Sequence, residues 1–210
     1  MKIHSIFSSL QGEGRFQGIP TLFVRLYGCN LRCSYCDVFD AVEGESCFEM
    51  SAKEVFGKIK EYDFYDVCIT GGEPMCQKNE LYDLLRVIGK NRRISLETNG
   101  SFDLTELSEL FPEVYLSIDW KTPGSGKESF CLENIASLKK GGRGWIKFVV
   151  SSKEDLHYIS KKLHLLGDIE VFISPEFEKG QGLFKKTADF VKSGKNTRMQ
   201  LQLHKIIGID

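Results

Sequence analysis

The chain has 210 residues, a formal net charge of -1 and 41% hydrophobic residues, the profile of a single domain over 1–210 that buries a core without disulfides or structural metal. A balance this close to neutral excludes a dedicated nucleic-acid binder, which carries a basic excess; the small cluster Lys90, Arg92 and Arg93 reads as a solvated helix end. No apolar run reaches the length of a membrane span, Met1–Leu10 lacks the apolar stretch of a signal peptide, and the seven cysteines are expected to be reduced thiols in a cytoplasmic protein.

Residues 7–20 read as a glycine-rich loop leading into the first strand. From there, short apolar runs alternate with amphipathic stretches. Candidate strands are Thr21–Tyr27, Asp66–Thr70, Ile94–Thr98, Val114–Ile118, Trp145–Ser151, Glu170–Ser174 and Arg198–Leu203, read as mostly continuous apolar runs rather than alternating ones. Between them, Ser51 caps a helix over Ala52–Lys60 with Glu54 completing a capping box. Helices are also expected over Glu80–Gly89, Leu104–Phe111, Glu128–Lys139, Lys153–Leu165 and Leu183–Ser193. Val38–Met50 reads as a loop. Strand–helix repetition of this kind gives an α/β fold with a mostly parallel sheet, either doubly wound or an incomplete barrel. In both, ligands gather at the carboxyl ends of the strands. The chemically distinctive residues fall there, at Cys29–Cys36, Gly71–Pro74, Asn99–Gly100, Ser117–Lys121, Ser174–Glu176 and His204–Lys205.

Cys29, Cys33 and Cys36 stand at i, i+4 and i+7. On a helix they would share one buried face, but the segment follows a strand, opens Gly-Cys-Asn and is polar throughout. A structural zinc site wants four ligands, and only Cys47 is near enough to be a fourth. Three thiolates on a loop suit an iron–sulfur cubane with one iron left open. Gly71-Gly72 alone reads as a tight turn, although bare backbone also lets a ligand approach closely.

Cys-x3-Cys-x2-Cys after one strand and Thr70-Gly71-Gly72-Glu73-Pro74 after the next resemble the radical S-adenosylmethionine (SAM) superfamily. That resemblance implies a partial (β/α) barrel, a [4Fe-4S] cluster on Cys29, Cys33 and Cys36, and SAM on the open iron, cleaved to a 5′-deoxyadenosyl radical. It also implies cofactor contacts from Tyr35, Cys36, Asp37, Gly71, Gly72, Glu73, Asn99, Ser117, Ile118, Asp119 and Ser174.

The block Leu10-Gln11-Gly12-Glu13-Gly14, then Gly18-Ile19-Pro20 and Phe23-Val24-Arg25, with Leu203–Gly208 at the other end, resembles one branch of that superfamily, the 7-carboxy-7-deazaguanine synthases of queuosine and 7-deazapurine biosynthesis. The resemblance implies a carbon–nitrogen lyase that contracts 6-carboxy-5,6,7,8-tetrahydropterin to 7-carboxy-7-deazaguanine with loss of ammonia. Leu10, Gln11, Gly12, Glu13, Arg25, Thr70 and His204 would then meet the pterin, Arg25 with a planar fork suited to a carboxylate. A magnesium ion, an external electron donor such as flavodoxin or ferredoxin, and a homodimer are implied as well. Two positions depart from the family: Val38 stands where a magnesium-ligating Thr is usual, and Asp210 where Pro is common. Two alternatives stand beside this reading. A glycyl-radical activating enzyme shares the cysteine and glycine motifs but acts on a protein, whereas Gln11–Gly14 and Arg25 favour a small substrate; a zinc- or cluster-binding module needs neither the glycine pair nor the later strand ends.

Overall fold

In a computed structural model, residues 1–209 are described, so Asp210 lies outside the described residues. Nine strands form one sheet: β1 (Lys2–Leu10), β2 (Pro20–Leu26), β3 (Phe48–Glu49), β4 (Asp66–Gly71), β5 (Arg93–Thr98), β6 (Tyr115–Asp119), β7 (Gly144–Val150), β8 (Val171–Pro175) and β9 (Thr197–Met199). Their order is β3-β1-β2-β4-β5-β6-β7-β8-β9. β1 runs antiparallel to β2 and β3, and every later neighbour is parallel. From β2 to β9 the parallel strands follow one another in chain order, with no point where the winding reverses. That excludes the doubly wound alternative and gives an incomplete barrel, all of whose crossovers progress in one direction.

The crossovers carry α1 (Phe39–Glu43), α2 (Ala52–Lys60), α3 (Lys78–Ile88), α4 (Thr105–Leu110), α5 (Glu133–Lys139), α6 (Lys153–Ser160), α7 (Leu163–Leu166) and α8 (Gly180–Ser193), and α9 (Leu203–Ile207) follows β9. α2 has the expected bounds and the expected capping box, in which the Glu54 carboxylate accepts from Ser51 N at 2.7 Å and Glu54 N donates to Ser51 Oγ at 3.3 Å. The helix expected over 153–165 is two helices, α6 and α7. The strand expected over 198–203 stops at Met199, because Leu203 opens α9 and donates its N–H to Gly12 O.

β1, β3, α1 and α9 are elements that the sequence reading lacks, and α1 and β3 both fall in the stretch Val38–Met50 that reads as a loop. β1 is broken by His4, Ser5, Ser8 and Ser9 and carries a register shift between Ile3 and Ser5, so neither strand nor helix periodicity is clean. Arg93 is not at a solvated helix end. It opens β5, pairs with Asp66 at 2.5 Å and stacks on Phe16 with Cζ 4.3 Å from the ring centroid.

The strands alternate more strictly than the apolar runs suggest. Leu22, Val24, Leu26, Val67, Ile69, Ile94, Leu96, Leu116, Ile118, Ile146, Phe148, Val150, Val171 and Ile173 all join the core cluster with the helices. The intervening residues turn inward. At the floor of the barrel, Phe16, Tyr115, Trp145 and Phe172 pack edge to face at centroid distances of 4.9–5.9 Å. Gly14 passes over this plug at φ +69°, and a Cβ there would lie 2.6 Å from the Trp145 ring. Above the plug, the inward residues are polar and line a cavity.

Stability should rest on the helix-facing layer. Leu84 on α3 is fully buried in it, so Leu84→Ala is expected to cost roughly 2–5 kcal/mol through the cavity it leaves, measured as a lowered urea midpoint with an unchanged slope.

Candidate active site

The cavity has a volume of about 660 Å³ and sits at the carboxyl ends of the parallel strands. Cys29, Cys33, Cys36, Gly71, Gly72, Asn99, Ser117 and Asp119 line it from one side of the reading above, and Leu10, Gln11, Gly12, Glu13, Arg25, Thr70 and His204 from the other, together with Tyr35 and Asp37. Three expected residues do not reach it. Ile118 points to the helix face, the Glu73 side chain is wholly buried beneath the glycine pair, and Ser174 is buried on β8.

The cysteine loop is held by backbone on two sides. Glu73 N donates to Gly28 O at 2.8 Å and Gly72 N to Leu26 O at 3.1 Å. A Cβ on Gly72 would lie 2.2 Å from Gly28 O and 2.9 Å from Cys29 Cβ, so glycine here is required for close approach of the two loops rather than for a turn alone. On the far side Ser34 N donates to Ser125 O at 2.9 Å and Ser34 Oγ to Gly124 O at 3.0 Å. That turn is in turn fixed by buried Asp155, which accepts from Gly124 N and Ser151 N, both at 2.8 Å.

Glu73 acts as the internal brace. It accepts from Met75 N, Thr98 Oγ1 and Asn99 N at 2.9, 2.8 and 2.6 Å, and burial, only partly offset by these bonds, pushes its carboxyl up to about 7. Its place in the motif is therefore structural: it ties the glycine turn to the end of β5.

All seven cysteines are free. Leu31 N donates to Cys29 Sγ at 3.4 Å and Asn99 Nδ2 at 3.7 Å, the pattern of backbone and amide support that steadies a thiolate ligand. Burial raises the Cys29 and Cys33 thiols. Among the described residues no three His, Cys, Asp or Glu converge on a single metal ion. Three half-buried thiols spread around one cavity suit a multi-iron cluster, whose corners lie apart, and not a mononuclear zinc site. A magnesium ion fits less well. Val38 lines the cavity with an apolar side chain, and neighbouring Asp37 already faces Lys205 Nζ at 3.7 Å and Gln202 Nε2 at 3.5 Å. Magnesium binds oxygen, and this corner supplies no free side-chain oxygen cage.

On the other half of the cavity, Arg25 stands beside Thr70 in the β2–β4 register, its Cζ 5.3 Å from the Phe7 ring centroid, and Phe7 stacks on Phe23 at 5.2 Å. Arg25 Nε is buried without a partner among the described residues, a cost that an incoming acceptor would relieve. Glu97 accepts from Thr70 Oγ1 at 2.9 Å and from Gln11 Nε2 at 3.2 Å. The His204 ring packs against Gly12, where a Cβ would lie 2.2 Å from Nδ1.

Lys121, Lys147 and Gln202 complete the wall. Lys121 Nζ lies 2.6 Å from Asp119 Oδ2, and Lys147 Nζ lies 3.2 Å from Asp119 Oδ1 and 2.5 Å from Glu13 Oε2. Gln202 Nε2 donates to Glu13 Oε1 at 3.0 Å. Burial alone would raise the Glu13 carboxyl, but Lys147 and Gln202 outweigh it and hold it at about 2. Lys147 and Gln202 escape a motif-based reading. The available sign of Lys147 was a charge at an inward position of the strand Trp-Ile-Lys-Phe-Val-Val.

Gly72→Ala should push the cysteine loop off its seat. Iron bound per chain after anaerobic reconstitution is expected to fall well below that of the parent. Gly57→Ala, a change in the middle of α2 where an added Cβ meets nothing within 4 Å, should keep full iron content.

The family model of the radical SAM superfamily matches residues 23–125. A 7-carboxy-7-deazaguanine synthase of Methanospirillum hungatei is 40% identical over all of this chain and 86% of its own length. One from Clostridium acetobutylicum is 36% identical over 98% of this chain and 95% of its own. Among solved structures, QueE from Escherichia coli superposes with a TM-score of 0.78 at 23% identity, covering 97% of this chain and 94% of that one. Streptococcus suis SuiB bound to S-adenosylmethionine matches the fold at a TM-score of 0.59 and 14% identity, over 85% of this chain and 51% of that one. With the fold, the cysteine loop and full-length relatives in agreement, the chain belongs to the 7-carboxy-7-deazaguanine synthases of the radical SAM superfamily.

Proposed function

We propose that this chain converts 6-carboxy-5,6,7,8-tetrahydropterin to 7-carboxy-7-deazaguanine, and that each half of its cavity serves one part of that reaction. The observation that carries the reading is the meeting, in one cavity, of the cysteine loop and glycine pair with the Gln11–Glu13 loop, Arg25 and His204. Bound there, a [4Fe-4S] cluster and SAM supply hydrogen-atom abstraction from the substrate. Cys29, Cys33 and Cys36 hold the cluster, and the bare backbone of Gly71-Gly72 with Ser117 and Asp119 receives the cofactor. Substrate and product differ by the elements of ammonia, so the chain needs no oxidant, only groups that orient the pterin and manage protons.

The polar wall suits those tasks. Arg25 brings an unpartnered guanidinium N–H to the substrate carboxylate. Thr70, Gln11 and Glu97 form a linked set of donors and acceptors that matches the edge of a flat amide-rich heterocycle. His204, held against Gly12, is the group placed to take or return a proton when the amine leaves.

An external one-electron donor of the flavodoxin or ferredoxin type completes the system. The half-exposed Cys29, Cys33 and Cys36 support access of such a donor to a cluster that these residues would hold. A homodimer is part of the same reading and follows from the family resemblance. Seven free thiols support a reducing cytoplasmic setting, and no helix among the described residues is long and apolar enough to cross a membrane.

Incubating the reconstituted chain with the carboxytetrahydropterin, SAM and reductant should yield 7-carboxy-7-deazaguanine and ammonia. Cofactor cleavage without deazaguanine would sink the synthase reading while sparing the superfamily. Arg25→Ala should raise KM roughly 10- to 100-fold, the loss that accompanies a charge-assisted hydrogen bond, with iron content unchanged. Turnover with and without magnesium is expected to differ by less than about twofold, because Val38 offers the ion no oxygen; a dependence as strong as tenfold would show that substrate and water alone hold it.

A further inference from the structure

Lys147 touches both halves of the cavity through charged partners, Asp119 on one side and Glu13 on the other. It rises from β7 opposite Asp119 in the β6–β7 register, and its ammonium contacts Asp119 Oδ1 at 3.2 Å and Glu13 Oε2 at 2.5 Å. Each carboxylate has one further restraint. Asp119 Oδ2 meets Lys121 at 2.6 Å, and Glu13 Oε1 accepts from Gln202 at 3.0 Å. The four charges of Glu13, Asp119, Lys121 and Lys147 cancel, so the set is stable only while Lys147 stays charged. Burial opposes that charge, but Asp119 and Glu13 outweigh it and hold the ammonium well above its ordinary range.

The two carboxylates sit on unlike supports. Asp119 ends a central strand. Glu13 lies in a loop without regular structure, between Leu10 and the short turn at Gly14, and no strand pairing holds it. Its hydrogen bonds run to Lys147, Gln202 and, through its N–H, to Gln11 Oε1 at 3.1 Å. The position of the substrate-side loop is therefore set from β7 and from the chain's last helical segment.

We propose that Lys147 is a positioning residue that fixes the pterin-side loop to the cofactor-side strand through Glu13 and Asp119, and so couples occupancy of the two halves of the cavity. This rests on the assignment above of Glu13 to the substrate and Asp119 to SAM. The physical basis is shared ordering. A ligand that immobilises Asp119 also immobilises the ammonium beside it, so the second ligand meets a Glu13 loop whose ordering is already met. The coupling is reciprocal, since each ligand must raise the other's affinity by the same factor.

The test is binding without turnover. On anaerobically reconstituted, unreduced protein, the carboxytetrahydropterin and SAM are titrated singly and then each in the presence of the other. The parent chain should show mutual enhancement of roughly fivefold or more, the range of ordinary coupling between sites. Lys147→Met should abolish the enhancement while iron content stays that of the parent. Because that variant leaves buried carboxylates short of a partner, the charge-balanced pair Lys147→Gln with Glu13→Gln is measured beside it and should also lack enhancement. Lys147→Arg, which keeps the charge, should restore part of it. Enhancement that persists in either neutral variant, or is absent from the parent, overturns the proposal. So does a Lys147→Met protein that loses iron and both single affinities together, since that marks a merely structural role. Glu13→Gln and Asp119→Asn separate the two layers: if neither weakens binding of its own ligand, the site assignment fails rather than the coupling.

Discussion

A parallel sheet wound in a single direction has two unequal faces. The helices of the crossovers all cover one of them, and the other must be filled by something else or remain a hollow. In this chain the outer face takes the apolar residues, from Leu22 on β2 to Ile173 on β8. The inner face is divided along its depth. Aromatic rings close the floor, so the barrel does not drain through. Polar side chains occupy the upper level, where a ligand replaces the water that would otherwise solvate them. The fold and the site are thus one pattern of alternation, read on its odd and even positions.

Placing so much charge inside a barrel is costly unless each group is matched. The inner wall meets that requirement by pairing: Lys121 with Asp119, Lys147 with Asp119 and Glu13, Thr70 and Gln11 with Glu97. Arg25 Nε, the Tyr35 hydroxyl and Asp119 Oδ1 make no hydrogen bond among the described residues. Unbonded groups in an otherwise paired wall are selective, because a ligand that does not satisfy them leaves the cost in place.

Much of this was legible in the residues. The cysteine spacing, the glycine pair and the Gln11–Gly14 block picked out residues that the fold brings to one cavity, and the strand–helix alternation located the sheet. What escaped did so for physical reasons. β1 is half polar because its residues serve an edge and a cavity at once, so Ser5, Ser8 and Ser9 break the period. β3 is only two residues long and exists through pairing with β1, a long-range fact. The inner residues Ser95 and Lys147 hid inside runs that read as continuous apolar strands, because Ile, Leu, Val and Phe on the other face dominate such windows. Taking the same runs two residues at a time separates them, and places Ile118 on the helix side rather than beside the cofactor. Glu73 shows the opposite limit: its position in a motif was plain, but only its three donors reveal that it braces backbone.

One side of the cavity is built from segments that lie far apart in the sequence. Leu203 N donates to Gly12 O at 3.1 Å, Gln17 Nε2 to Leu201 O at 2.7 Å and Gly14 N to Gln200 Oε1 at 2.5 Å, contacts separated by nearly the whole chain. Contacts of such span form late, since the intervening loop must first be organised. During synthesis, the residues of the cysteine loop, the glycine turn and the Asp155 anchor are all made before the segment after β9. Order of assembly therefore follows the topology: the thiol-bearing wall of the cavity is made of earlier segments, and the wall around Gly12 is complete only when α9 docks.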